Sequence, residues 1–168
     1  MNEEKIQKQN IGNAGEYYLA AILSARNFIV TITLGRAERY DILAVNQNNK
    51  SLKISVKSSY LIGGTGFPLS NKDEINGCND FYYAFILLNE FKSEPDFWVI
   101  PSKRINEILY NSHHTWLGQV SKKGNNHKDS TLRKLPIKIT EGLKSLYPQE
   151  WETELRQYYK NIEQLEKI

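Results

Sequence analysis

Between residues 12 and 26 (GNAGEYYLAAILSAR) Ala, Leu and Tyr dominate and no proline intervenes, so the pattern predicts a helix that stops near Asn27. Its apolar residues cover nearly the whole circumference: Ala14, Tyr17, Tyr18, Ala21, Ile22 and Ala25 on one side, Leu19, Ala20 and Leu23 on the other. A helix apolar all round calls for cover on more than one side, by a sheet and by a partner subunit or a C-terminal helix. Three β-branched or alternating runs follow at 28–34, 39–45 and 51–59. The turn composition NQNNK joins the last two into an antiparallel hairpin. Gly63, Gly64, Gly66 and Pro68 mark 60–70 as a loop. A short helix over 70–77 then has Ser70 as its cap and Asp73 in the capping-box position.

The run at 80–88 (DFYYAFILL) is apolar enough for a central strand buried on both faces, and 96–100 (DFWVI) supplies a fifth strand. Pro101 ends it, and Ser102 is placed to cap a helix to about Tyr110. The basic, polar stretch 118–136 reads as a long mobile loop, and 140–146 as a helical turn. A terminal helix over about 148–166 begins at Pro148, with Trp151, Leu155, Tyr158 or Tyr159, Ile162 and Leu165 on its inner face. The order of elements predicts one α/β domain over residues 1–168 with a mixed sheet. The glycines at 63–66 lack the spacing of a dinucleotide-binding turn, and there is no Walker loop.

At 168 residues, 40% apolar and 24% charged, the chain is long enough for a single substantial core, and a second is not expected. Lys and Arg outnumber Asp and Glu by 22 to 19, a mild positive bias compatible with a nucleic-acid partner. The lone Cys78 excludes an intramolecular disulfide and a cysteine zinc cluster. His113, His114 and His127 lack the spacing of a helical zinc site and read as structural or surface residues. No apolar h-region opens the chain and no 18-residue apolar run occurs, so the expected location is the cytoplasm.

Charged residues inside apolar elements carry the chemical information. Glu16 projects beside Leu19, Ala20 and Leu23, where a carboxylate needs either the helix dipole or a partner. Asp41 shares a strand face with Leu43 and Val45. If odd positions pair with odd across the hairpin, it falls beside Ser55 or Lys57. Such a set is either an ion-pair network closing a sheet end or oxygen ligands for a hard divalent cation with a lysine beside them.

The stretches GEYYLAA at 15–21, YDIL at 40–43 and ISVKSS at 54–59 resemble the PD-(D/E)xK nuclease superfamily, in its Holliday-junction-resolvase-like and restriction-endonuclease-like branch. The runs at 80–88 and 96–102 are similar to small bacterial proteins of that group, with a weaker echo at 112–117. The resemblance covers about residues 12–110 and implies an αβββαβ core with a mixed central sheet flanked by helices, to which the basic loop and the C-terminal helix are added. It also implies a catalytic set of Glu16, Asp41, Ser55 and Lys57, with Mg²⁺ (or Mn²⁺ in its place) held by Glu16, Asp41 and the Val56 carbonyl. Ser55 departs from the pattern, which places an acid or Gln there; a hydroxyl is a weaker ligand for a hard cation. Glu38 has the wrong strand parity to replace it.

The implied activity is divalent-metal-dependent endonucleolytic hydrolysis of DNA. The alternative is a weakened or inactive nuclease-fold module that binds DNA or another protein. Candidate phosphate contacts are Arg36, Arg39, Lys53 and Lys72 near the site, and Lys122, Lys123, Lys128, Arg133 and Lys134 (with Lys138) in the basic stretch, whose plainer reading is a solvated loop. A homodimer through the first helix or the C-terminal helix fits both the all-round apolar helix and two-strand cutting.

Overall fold

The computed structural model describes residues 6–33, 40–61, 63, 65–74, 77–121 and 124–168. Helix α1 (Lys8–Ala25) ends where Asn27 adopts a left-handed conformation (φ 62°), which Asn tolerates better than most residues. Strands β1 (Ile29–Ile32), β2 (Ile42–Val45) and β3 (Ser51–Ser59) form an antiparallel meander. Strand β5 (Phe81–Leu87) lies parallel to β3, and β6 (Asp96–Pro101) antiparallel to β5. The sheet order β1-β2-β3-β5-β6 is therefore mixed, and every residue of β5 is buried at its centre. This is the α/β arrangement with a mixed sheet flanked by helices that the element order implies.

The two sheet faces carry separate cores. Ile42, Ala44, Leu52 and Ile54 face α1 through Leu19 and Leu23, with Ile162 and Leu165 of the C-terminal segment beside them. The opposite face, carrying Tyr83 and Phe85, packs on helix α2 (Ser102–Leu117) and helix α3 (Trp151–Tyr158). Arg104 ties these two helices by a bidentate pair with Glu154 at 2.6 and 2.7 Å.

Several elements differ from expectation. Residues 66–70 are strand β4 (Gly66–Ser70) rather than loop, and they pair antiparallel with β7 (Leu132–Pro136), inside the stretch expected to be mobile. Phe67, Leu69 and Leu135 bury the inner face of this ribbon, while Pro68 lies exposed on the outer face. Each strand is marginal alone and exists because a partner 62 to 70 residues away completes it. The helix expected over 70–77 is a 3₁₀ turn, Asn71–Glu74, with the expected cap: the amide and hydroxyl of Ser70 donate to Asp73 Oδ2 at 2.8 and 3.0 Å. Ser102 does not cap α2. Its hydroxyl exchanges hydrogen bonds with the main chain of Cys78 at 3.1 Å, and the helix runs seven residues past Tyr110.

The terminal helix is broken: α3 stops at Tyr158, Lys160 turns left-handed (φ 50°) so that its amide reaches the Phe97 carbonyl, and the short α4 (Glu163–Glu166) follows. Trp151, Leu155, Ile162 and Leu165 are nevertheless all buried, because the break lets the two segments reach different cores. On α1, Leu19 and Leu23 are the buried stripe, whereas Tyr17, Ala21 and Ala25 on the broader apolar side are exposed.

Helix α1 approaches β3 most closely at Gly15. A Cβ there would run into Ser58 Oγ and lie 2.9 Å from Ser58 Cβ. Gly15→Ala is expected to destabilise the protein by about 1–3 kcal/mol through this overlap. The double variant with Ser58→Gly should recover part of the loss in urea unfolding; equal stability of Gly15→Ala and wild type would contradict the packing.

Candidate metal and phosphodiester site

The site lies where β2 begins. Ile42 pairs with Ile54, so Asp41, one residue earlier, comes opposite Ser55: the odd-with-odd register is the one formed. The Asp41 amide still donates to the Ile54 carbonyl at 2.9 Å. Beyond this point β2 no longer runs beside β3, and the side chain of Asp41 takes over. Its Oδ2 accepts the Val56 amide at 2.6 Å and the Ser55 hydroxyl at 3.2 Å. Main-chain groups alternate along a strand, so the carbonyl of Val56 points to the same edge as its amide. Lys57 lies two residues farther along the face that carries Ser55, beside Phe85, half-buried and without an ion pair among the described residues.

Glu16 arrives from the other side of the sheet. It follows the fully packed Gly15 on α1, and this close approach carries its half-buried carboxylate toward the strand end. Burial raises its pKa above the ordinary carboxylate value, and the negative charge of Asp41 raises it further. Neither acid has an ion-pair partner among the described residues. Glu16, Asp41, Ser55, the Val56 main chain and Lys57 are thus grouped at one strand end: two like charges, a hydroxyl, a carbonyl and a lysine. Hard oxygen donors of this kind suit a divalent cation that also keeps several waters. No group of three or more His, Cys, Asp or Glu able to hold a metal occurs among the described residues.

The candidate phosphate contacts divide. Lys53 pairs with Asp80 at 3.0 Å, at the opposite end of β3 from Lys57. Lys72, Lys128, Lys134 and Lys138 are exposed. Arg133 is turned inward: its side chain is 5% exposed and held by Glu74, and it also donates to the Ser130 and Leu132 carbonyls. It is a structural cation of the ribbon, not a free phosphate contact. Arg36, Arg39, Lys122 and Lys123, like Glu38, lie outside the described residues.

The sequence reading missed a ring cluster at the end of α2. His113 is bonded to Asp129 at 2.8 Å, and the Trp116 ring lies between those of His113 and His127, with centroids 5.6 and 4.1 Å away. The sequence signal was the His113–Trp116 spacing, one helical turn. Its partners His127 and Asp129 come from a segment that has no periodicity.

No family model matches this chain, and no curated protein matches its sequence. Among solved structures it is similar to a bacterial homing endonuclease, I-Ssp6803I, at 12% identity and a TM-score of 0.49, over 95% of this chain and 92% of that one. No helix among the described residues is long and apolar enough to cross a membrane.

The raised pKa of Glu16 has a definite sign. Its proton binds more tightly in the folded state, so that stabilising contribution is complete below the ordinary carboxylate range and is lost as pH rises through the raised value. Glu16→Gln is therefore expected to melt higher than wild type near pH 7, with the gap closing in acid. Millimolar Mg²⁺ or Ca²⁺ should raise the wild-type Tm and leave Glu16→Gln nearly unmoved; equal cation shifts in both would remove Glu16 from the site.

Proposed function

We propose that this chain is a DNA-binding module on a nuclease-type α/β scaffold, with metal-dependent phosphodiester cleavage weakened or lost. One observation carries the proposal: Ser55 stands where a second strand carboxylate would complete a cation site, so the Asp41 carboxylate has a neutral hydroxyl beside it at 3.2 Å and not a second strand acid. A serine hydroxyl brings no charge to a divalent ion, so affinity for Mg²⁺ falls. The exposed lysines at 72, 128, 134 and 138, and Lys57, which has no ion pair among the described residues, support binding to phosphates, which positions a duplex without reading its sequence.

The second reading is an active endonuclease dependent on Mg²⁺, or on Mn²⁺ in its place. It is favoured by the repulsion of Glu16 by Asp41, two acids without an ion-pair partner among the described residues. In that reading Glu16, Asp41 and the Val56 carbonyl hold the ion, which would polarise the phosphodiester and acidify a bound water. Lys57 stabilises the charge that develops on the phosphate oxygens. Twofold assembly through the exposed Tyr17 side of α1 would present one site to each strand.

Fluorescence anisotropy with duplex and branched DNA tests the binding, and plasmid nicking with Mg²⁺ or Mn²⁺ tests the chemistry. The module reading expects saturable binding at low salt that weakens steeply as salt rises. It also expects little cleavage by wild type and new Mn²⁺-dependent cleavage in Ser55→Glu. Robust wild-type cleavage that disappears in Asp41→Ala and Lys57→Ala would establish the second reading instead. Absence of DNA binding at low salt would overturn both.

A further inference from the structure

A cavity of about 590 Å³ opens between the outer face of the β4–β7 ribbon, the end of α2 and the segment around Leu143–Tyr147. Glu16, Asp41, Ser55 and Lys57 do not line it, so it is separate from the site at the start of β2. Its volume is in the range of ligand pockets, about 300–1,000 Å³.

The cavity walls are apolar and aromatic, with Pro68, Leu132, Leu146, Trp116 and Tyr147 among them. Four polar side chains in the wall are engaged within the protein. Tyr147 Oη donates to the Lys134 carbonyl at 2.6 Å, Ser112 Oγ to the Leu109 carbonyl at 3.1 Å, His113 is bonded to Asp129, and Arg133 to Glu74. Such walls can bury the face of an aromatic ring, provided that its polar edge stays toward the open, solvent-facing mouth. Trp116 is held between two imidazoles that take up its ring faces, so it offers a ligand a fixed edge, and that rigidity lowers the entropic cost of binding against it.

The exceptions are the exposed Ser130 hydroxyl and the Trp116 indole N–H, which form no hydrogen bond among the described residues, and Lys134. This lysine lines the cavity, is exposed, and makes no ion pair among the described residues. On the same outer face, Leu132 is 74% exposed and forms an apolar lip. An aromatic body inside and an anion at the mouth together describe a nucleotide, and the open lip suits a group still attached to a chain better than a wholly enclosed small molecule.

We propose that this cleft takes a nucleotide, its base against the Trp116, Tyr147 and Leu132 walls and its phosphate on Lys134. The ligand is either a free mononucleotide or a nucleotide turned out of a DNA strand, and in the second case the inference rests on the DNA-binding reading above. Extruding a base costs a few kcal/mol in duplex and least in single strands, so single-stranded DNA is the more favourable polymer.

The test uses the full chain with 2-aminopurine deoxynucleoside monophosphate and with a single-stranded oligonucleotide carrying one 2-aminopurine. Emission reports the environment of the base, and anisotropy of a separate terminal label reports strand binding. Saturable change in 2-aminopurine emission is expected, weakened roughly tenfold in Lys134→Glu, as for loss of a charge-assisted contact, and similarly in Leu132→Asp. Both side chains are solvent-exposed, and circular dichroism verifies that the variants fold; Lys167→Glu, on α4, serves as the unaffected control. Emission changes identical in wild type and both variants would overturn the proposal. Strand binding by anisotropy without any 2-aminopurine response would overturn it and leave DNA binding standing. A variant-sensitive mononucleotide response without strand binding would uphold the cleft, assign it to free nucleotides and remove the DNA-binding reading.

Discussion

One carboxylate oxygen holds the strand end together. Where β2 begins, the Val56 amide has no strand carbonyl to bond, and an unpaired buried amide is costly. Asp41 Oδ2 accepts that amide at 2.6 Å and the Ser55 hydroxyl at 3.2 Å, so the same atom closes the ladder and anchors the candidate site. Ser55 is therefore well matched to its position in one respect: it gives Asp41 a donor where an acid would give it a second repelling charge. The arrangement is locally stable, with a neutral hydroxyl beside Asp41 where a second carboxylate would add charge.

The second charge comes across the sheet. Gly15 permits α1 to lie against Ser58, and the next residue, Glu16, is carried to the strand end with its pKa raised by burial and by Asp41. A sheet end is the one place where side chains from both faces can meet without passing through the core. Asp41 lies in that gap, Ser55 and Lys57 approach along one face, and Glu16 from the other. The result is a concentration of like charge with Lys57 nearby and no ion pair to neutralise it among the described residues.

The opposite core has a different organisation. The β4–β7 ribbon, α2 and α3 pack over Tyr83 and Phe85, and the charges within this layer are satisfied internally: Arg104 by Glu154, Arg133 by Glu74. What remains outward is a lysine-bearing face with an aromatic cleft. Cationic side chains that looked equivalent along the chain thus divide into structural ones, such as Arg133, and solvent-facing ones, such as Lys134.

Local pattern was sufficient for α1, the β2–β3 hairpin, the buried β5 and the Ser70 cap, because each depends on spacing or on neighbours a few residues away. Strand parity left two pairings open, and the register formed is the one that brings Asp41 opposite Ser55; the set Glu16, Asp41, Ser55 and Lys57 was implied by the family resemblance and not by spacing. Tertiary structure decided the rest. Strands β4 and β7 have meaning only as a pair, since neither buries a face or satisfies its amides alone, and their partners are distant in sequence. The break after Tyr158 follows from the Phe97 carbonyl waiting for the Lys160 amide. The inward turn of Arg133 depends on Glu74, and the ring stack on Trp116 depends on His127, contacts that no periodicity announces. Short-range hydrogen bonding and hydrophobic spacing are written in the order of residues; pairing between distant polar groups is decided only when the folded chain brings them within reach.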